Sequence, residues 1–251
     1  MMPIMSITLT RYHHRRLREV YRSAGWPSQD VLEIELLAVG LLERVVSCSG
    51  HETLRVTEAG IAQLAGSLGQ NKAARSAHEA LVERVALEMG RAGRLVWRGL
   101  SLRARVPTDQ PSKSRTEDLS ITPMAWVVAC PDVFSIRNTT VEAYLEPIVH
   151  EIKVSRADLL GDLKKPSKRA AYLDMGGECW YVLGETARGK PIAQPEEIPP
   201  DCGVMLCEGD RLTVARPAPR KVLTKLPFHV WMGLAKATPV ARGDGDEQVA
   251  L

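Results

Sequence analysis

The sequence predicts an α/β protein: a mixed central sheet flanked by helices, preceded by a separate helical module. Two observations carry that expectation. Beyond residue 94, short apolar runs of strand length recur between turn residues, with one helical stretch among them. Before residue 70, the 3.6-residue period dominates instead. The order helix, strands, helix, strand belongs to an α/β domain. With 251 residues, 45% apolar and 25% charged, the chain is large enough for two modest domains, and wholesale disorder is excluded. We expect a helical module over residues 1–70, the α/β domain over 71–235 and a flexible tail over 236–251.

Taken in order, residues 11–23 carry Arg11, Arg15, Arg16, Arg18 and Arg22 with His13 and His14 against a single Glu19, a strongly basic helix with a thin stripe of Leu17, Val20 and Tyr21. Trp26-Pro27-Ser28 interrupts it, and Ser28 or Asp30 is placed to cap the next helix, VLEIELLAVGLLERVV. Leu54-Arg55-Val56 reads as a short strand, with Thr57 as N-cap of a helix opening Glu58-Ala59-Gly60. That strand-Thr-Glu-Ala-Gly-helix phrase resembles the close of the wing in bacterial winged-helix DNA-binding domains. The resemblance implies DNA contact by the module, with Arg15, Arg16 and Arg18 as candidates; a helical scaffold without that role is the alternative. Gly66–Gln70 reads as a linker.

A helix over 71–90 follows, with Leu81, Val82, Val85 and Met89 on its apolar stripe and His78 at the stripe's centre. A lone histidine there is ordinarily a hydrogen-bonded core residue. Strands are expected over RLVWRGLSLRA, Trp126–Ile136, Ile148–Val154, Cys179–Leu183, Gly203–Leu206 and Arg211–Ala215, and one helix over Arg156–Met175. Residues 106–123 are polar and too long for a tidy hairpin.

A net charge of +3, from 33 basic and 30 acidic side chains, excludes a polycation but not a basic face. No apolar run reaches the ~18 residues of a membrane span. The N-terminal charges follow the apolar stretch, the reverse of a signal peptide, so the expectation is a cytoplasmic protein with no membrane partner. The five cysteines are scattered, which points to reduced, buried thiols.

Three polar residues sit where strands should be apolar. Asp132 follows Pro131, and Glu151 and Lys153 lie two apart in PIVHEIKVS, so strand alternation puts both on one face. Burying such charges costs several kcal/mol unless each finds a partner. Two carboxylates on one patch suit a hard cation such as Mg²⁺, with Mn²⁺ as a substitute. Such an ion polarises a phosphodiester and acidifies a bound water, and the lysine can orient that water. As an ordinary surface pair, Glu151 and Lys153 would contribute only ~0–1 kcal/mol.

Pro131-Asp132 followed by Glu151-Ile152-Lys153 resembles the motif of the PD-(D/E)XK nuclease superfamily. The sequel, with Ser155, Arg156, Asp158, Asp162, Lys164, Lys168, Tyr172, Tyr181 and Val182, is similar to its MmcB-related DNA-repair branch. The likeness spans residues 76–215, densest over 131–206. It implies a restriction-endonuclease-like fold and Mg²⁺-dependent DNA cleavage by Asp132, Glu151 and Lys153, with Glu79 or Glu83 completing the metal site. It also implies DNA contacts from Ser155, Arg156, Lys164, Lys165, Lys168 and Arg169. A homodimer fits, since many nucleases that cut both strands act in pairs. A DNA-binding protein that keeps only the scaffold is the alternative.

Overall fold

The computed structural model describes residues 7–23, 25–107, 124–221, 223 and 225–241. The chain divides into two compact units, Met1–Arg75 and Ser76–Leu251.

The first unit opens with helix α1 (Arg11–Arg22), which buries His13, Leu17 and Val20 along one stripe. Helix α2 (Val31–Ala38) is capped by Asp30, whose carboxylate accepts the Glu33 N–H at 2.9 Å. The expected long helix over residues 31–46 ends there. Gly40 adopts φ +72°, a conformation that favours glycine, and the chain turns into strand β1 (Leu42–Val46). The β-branched Val45 and Val46 suit the strand. Strand β2 (Glu52–Val56) pairs with β1 antiparallel, Leu42 opposite Val56. The Thr57 hydroxyl caps helix α3 (Glu58–Arg91) as expected, accepting the Gly60 N–H at 3.1 Å and donating to the Gly40 carbonyl at 2.6 Å. The helix runs through residues 66–70, so these do not form a linker. Gly66 and Gly69 are tolerated inside it, each at a modest propensity cost.

The second unit is built on a six-stranded mixed sheet. Its strands are β3 (Arg94–Arg98), β6 (Val133–Arg137), β7 (Ile148–Lys153), β8 (Glu178–Leu183), β9 (Gly203–Glu208) and β10 (Arg211–Arg216). They lie in the order β10-β9-β8-β7-β6-β3; β7, β8 and β9 are parallel and the other pairings antiparallel. Strands β4 (Leu102–Pro107) and β5 (Met124–Ala129) form a separate antiparallel pair.

Two sequence runs read as single strands are therefore split. RLVWRGLSLRA breaks at Gly99, φ +57°, and Trp126–Ile136 breaks at Cys130-Pro131-Asp132, where proline withholds a ladder donor. The helix expected over Arg156–Met175 is likewise two, α4 (Arg156–Leu163) and α5 (Pro166–Met175), because proline cannot continue α4 but suits a helix's first turn.

The sheet's two faces bury different clusters. Ile152, Val182, Val96 and Val133 pack with Leu81, Val82 and Val85 of α3. Val149, Tyr181 and Leu183 pack with Leu159, Tyr172 and Met175 of α4 and α5. A short helix α6 (Phe228–Leu234) lies against β4. Of the expected tail, Val240 donates its N–H to the Val96 carbonyl at 2.7 Å, tying the chain to the edge strand; residues 242–251 lie outside the described residues, as do 108–123 of the expected loop. Cys179, Cys202 and Cys207 are free and buried as expected, whereas Cys48 and Cys130 are exposed.

Thr57→Ala removes both hydrogen bonds at the start of α3. It is expected to lower the stability of the full chain by about 1 kcal/mol in urea unfolding, with Thr57→Ser retaining most of it. An unchanged midpoint in the alanine variant would refute the cap.

Candidate active site

Strand β7 alternates as its sequence requires. Val149, Glu151 and Lys153 face α4 and α5, while Ile152 faces α3. Glu151 and Lys153 are 2% and 4% exposed, and their charged atoms meet at 2.7 Å. An ion pair taken that far out of water persists only when further partners satisfy it, and here it has several. Glu151 Oε1 also accepts from Lys168 Nζ at 2.6 Å, and Oε2 accepts from the Tyr172 hydroxyl at 2.7 Å. Lys153 Nζ lies 3.0 Å from Asp158 and 3.5 Å from Asp162. Asp162 accepts from Lys168 at 2.6 Å and from the Tyr181 hydroxyl at 2.8 Å.

Asp132 enters from the break before β6. Its Oδ2 accepts the backbone N–H of Ile152 at 2.7 Å, and its Oδ1 lies 3.4 Å from Nε2 of His78 on α3. The carboxylate is thus held at the residue between Glu151 and Lys153.

The electrostatics follow from this packing. Burial alone would push Lys153 down, but Glu151, Asp162 and Asp158 outweigh it, so the ammonium is held above its usual range. Lys168 is raised in the same way, by Glu151 and Asp162 against burial. Burial would raise Asp162, yet Lys168, Lys153 and Tyr181 hold it below the usual carboxylate range. Asp132 goes the other way. Burial and the neighbouring Glu151 carboxylate raise it, and the Ile152 N–H, His78 and Lys153 offset only part of that. Tyr172 is raised by burial and by Glu151, so it remains a hydrogen-bond donor. His150 is fully buried and, with its pKa pushed down to about 3 by burial, is neutral.

Glu151, Asp158 and Asp162 therefore share two ammonium groups, and Asp132, the fourth carboxylate, is left without either at bonding distance. A carboxylate raised by burial and by a neighbouring carboxylate, as Asp132 is by Glu151, is one whose charge a divalent cation would relieve. By chemistry, Asp132 and Glu151 fit Mg²⁺, which takes one or two carboxylates from a protein and keeps water as its other ligands. Lys168 is the competitor at Glu151 Oε1. Among the described residues, no group of three or more His, Cys, Asp and Glu side chains forms a complete metal cage.

Glu79 and Glu83 do not join this cluster. Both are exposed on α3, and among the described residues neither makes a side-chain ion pair or hydrogen bond; the α3 residue brought to Asp132 is His78. The expected DNA-facing groups also sort differently from expectation. Ser155 caps α4 by accepting the Asp158 N–H at 3.2 Å. Arg156 pairs with Glu197 at 2.5 Å, and Arg169 lies 3.4 Å from Asp201. Lys168 turns inward and bonds to both Glu151 and Asp162, which share Lys153 as their other cation. In the first unit, Arg16 bonds to Asp30 and Ser28, and Arg15 to Glu19 at 2.9 Å. Lys164 and Lys165 are exposed, and Arg18 is occupied only by the His14 carbonyl at 3.1 Å.

Lys168, Tyr172, Asp158 and Asp162 carried a readable signal. Each pair is spaced four apart on its helix and so shares a face. Only the fold shows that both faces turn to β7.

No family model matches this chain. No curated protein matches it either. A solved structure, a protein of unknown function from Silicibacter pomeroyi, is similar at 17% identity and a TM-score of 0.38, over 62% of this chain and 80% of that one. A likeness of that extent carries no weight for the fold or the chemistry.

The opposed shifts of the two aspartates give opposite expectations. Asp132 binds its proton more tightly folded than unfolded, so its ionisation subtracts stability as pH rises through its folded pKa. Asp132→Asn, which can still accept the Ile152 N–H, is expected to raise the thermal midpoint at pH 7 in chelator, the gain shrinking toward pH 4. Asp162 is lowered, so its contribution is present above its unfolded pKa and is lost as pH falls through the folded one. Asp162→Asn is expected to lower the midpoint at pH 7. Shifts of the same sign in the two variants would overturn this assignment.

Proposed function

We propose that the protein is a metal-dependent DNA phosphodiesterase whose second unit is a restriction-endonuclease-like domain and whose first unit is a winged-helix-like DNA-binding module. One observation supports this above the others: Glu151 and Lys153 are buried as a pair on one strand face, and the Asp132 carboxylate hydrogen-bonds to the residue between them. A merely solvated pair would lie exposed and carry no second acid.

In this reading Asp132 and Glu151 would hold Mg²⁺, which would act as a Lewis acid and lower the pKa of a bound water. The protein's own residues supply the rest. Lys153 is held charged, so it donates to the attacking water or to the phosphate oxygens and does not abstract a proton. Tyr172 fixes the Glu151 carboxylate through Oε2. His78 faces the outer oxygen of Asp132 and orients it. Lys164 and Lys165, exposed beyond α4, meet the DNA backbone, where each phosphate contact adds to the salt dependence of binding.

A second reading has its own observation. Both Glu151 oxygens are already satisfied, by Lys153, Lys168 and Tyr172. A cluster so complete can serve as a structural strut in a DNA-binding protein that cuts nothing.

Duplex, single-stranded, branched and damaged DNA, each incubated with Mg²⁺ or Mn²⁺, separate the two. Cleavage is expected on at least one substrate, falling by about 100-fold or more in Glu151→Gln and Lys153→Gln, with folding checked by circular dichroism. Wild type and variants that behave alike on every substrate would leave the strut reading standing.

A further inference from the structure

In the first unit, α1 and α3 enclose a cleft of about 390 Å³ lined by Arg11, His14 and Arg18 from one helix and Gln63, Ser67 and Gln70 from the other, with Gly66 and Asn71. The spacing explains the lining. Residues 11, 14 and 18 fall on one face of α1, and 63, 66, 67 and 70 on one face of α3. No carboxylate lines the cleft.

Of the other arginines of α1, Arg15 pairs with Glu19 and Arg16 with Asp30, and Arg22 does not line the cleft. Arg11 stacks on Tyr12, 4.8 Å from the ring centre, and donates to its hydroxyl at 2.8 Å; Arg18 uses only its Nε on the His14 carbonyl. Nδ1 of His14 is buried without a partner among the described residues. Helix α1 thus leaves Arg11 and Arg18, with a histidine, facing an amide- and hydroxyl-lined hollow.

We infer that this cleft binds the phosphates of a nucleic-acid strand. Cations without counter-ions select an anion, and the surrounding amides and the serine hydroxyl offer the neutral hydrogen bonds that phosphate oxygens and sugars take. Arg11 and Arg18 stand two helical turns apart, ~10 Å along the axis, which suits two phosphates of one strand better than a single tetrahedral ion. The inference does not depend on cleavage at Glu151. It replaces the α1 residues expected from the sequence with Arg11, His14 and Arg18, only the last of which was expected.

Gly66 allows a test that changes no charge. A Cβ there would meet nothing within 4 Å, so a longer side chain enters the hollow without straining the helix. The experiment is fluorescence-anisotropy titration of the full chain, in chelator, with labelled duplex and single-stranded oligonucleotides, and with adenosine monophosphate and inorganic phosphate as competitors. Arg11→Gln, Arg18→Gln and Gly66→Leu are each expected to weaken oligonucleotide binding about tenfold or more, and the arginine variants to reduce the salt slope by about one each. Arg91→Gln, an equal charge loss outside the cleft, is expected to bind as wild type. Equal loss in Arg91→Gln, or wild-type binding in Gly66→Leu, overturns the site. Capture of the mononucleotide or phosphate without the oligonucleotide overturns the nucleic-acid assignment.

Discussion

An ammonium and a carboxylate on one face of one central strand have to be taken out of water together, and most of the second unit answers to that constraint. Glu151 and Lys153 sit on β7, flanked by β6 and β8, and both are almost wholly buried. The mutual attraction of such a pair does not by itself offset the lost hydration. The remaining lone pairs and protons must be met by groups aimed from elsewhere. Tyr172 and Lys168 come from α5, Asp158 and Asp162 from α4, and Tyr181 from the adjoining strand. The break at Pro166 separates α4 from α5, so each helix brings its own polar face to the pair.

The same constraint sets Asp132 apart. Lys153 and Lys168 are fully engaged by Glu151, Asp162 and Asp158, and Asp132 receives a backbone N–H and an imidazole instead. Its carboxylate is raised where that of Asp162 is lowered, although both are aspartates influenced by the same Lys153 ammonium. Two chemically identical groups driven in opposite directions by their surroundings are a common arrangement where charge must develop during a reaction.

Much of this was legible in the residues. The i, i+2 spacing of Glu151 and Lys153 on an apolar strand was enough to put them on one face, and Thr57 announced the start of α3. Other features needed the fold. VLEIELLAVGLLERVV is apolar almost throughout, and periodicity cannot distinguish a buried helix from a buried strand in such a run. Only Gly40 marks the change from α2 to β1. Glu79 and Glu83 have the right chemistry and lie near the right helix turn, but a rotation of one residue decides which side chain meets Asp132, and that is His78. Lys168 sits among exposed basic residues in the sequence. Its inward turn depends on two acids that are 6 and 17 positions away.

Basic residues are sorted by the same rule in both units. An arginine or lysine with a carboxylate in reach is consumed by the fold, as with Arg16 at Asp30, Arg156 at Glu197 and Lys168 at Glu151. The near-balance of 33 basic against 30 acidic residues therefore says little about what the surface offers a ligand. What matters is which cations are left over, and where. Arg11 and Arg18 remain in the α1–α3 cleft, and Lys164 and Lys165 remain beyond α4. A uniform basic surface would attract any polyanion. Where an anion is drawn depends on cations gathered without acids beside them, as Arg11 and Arg18 are in that cleft, and not on the net charge of +3.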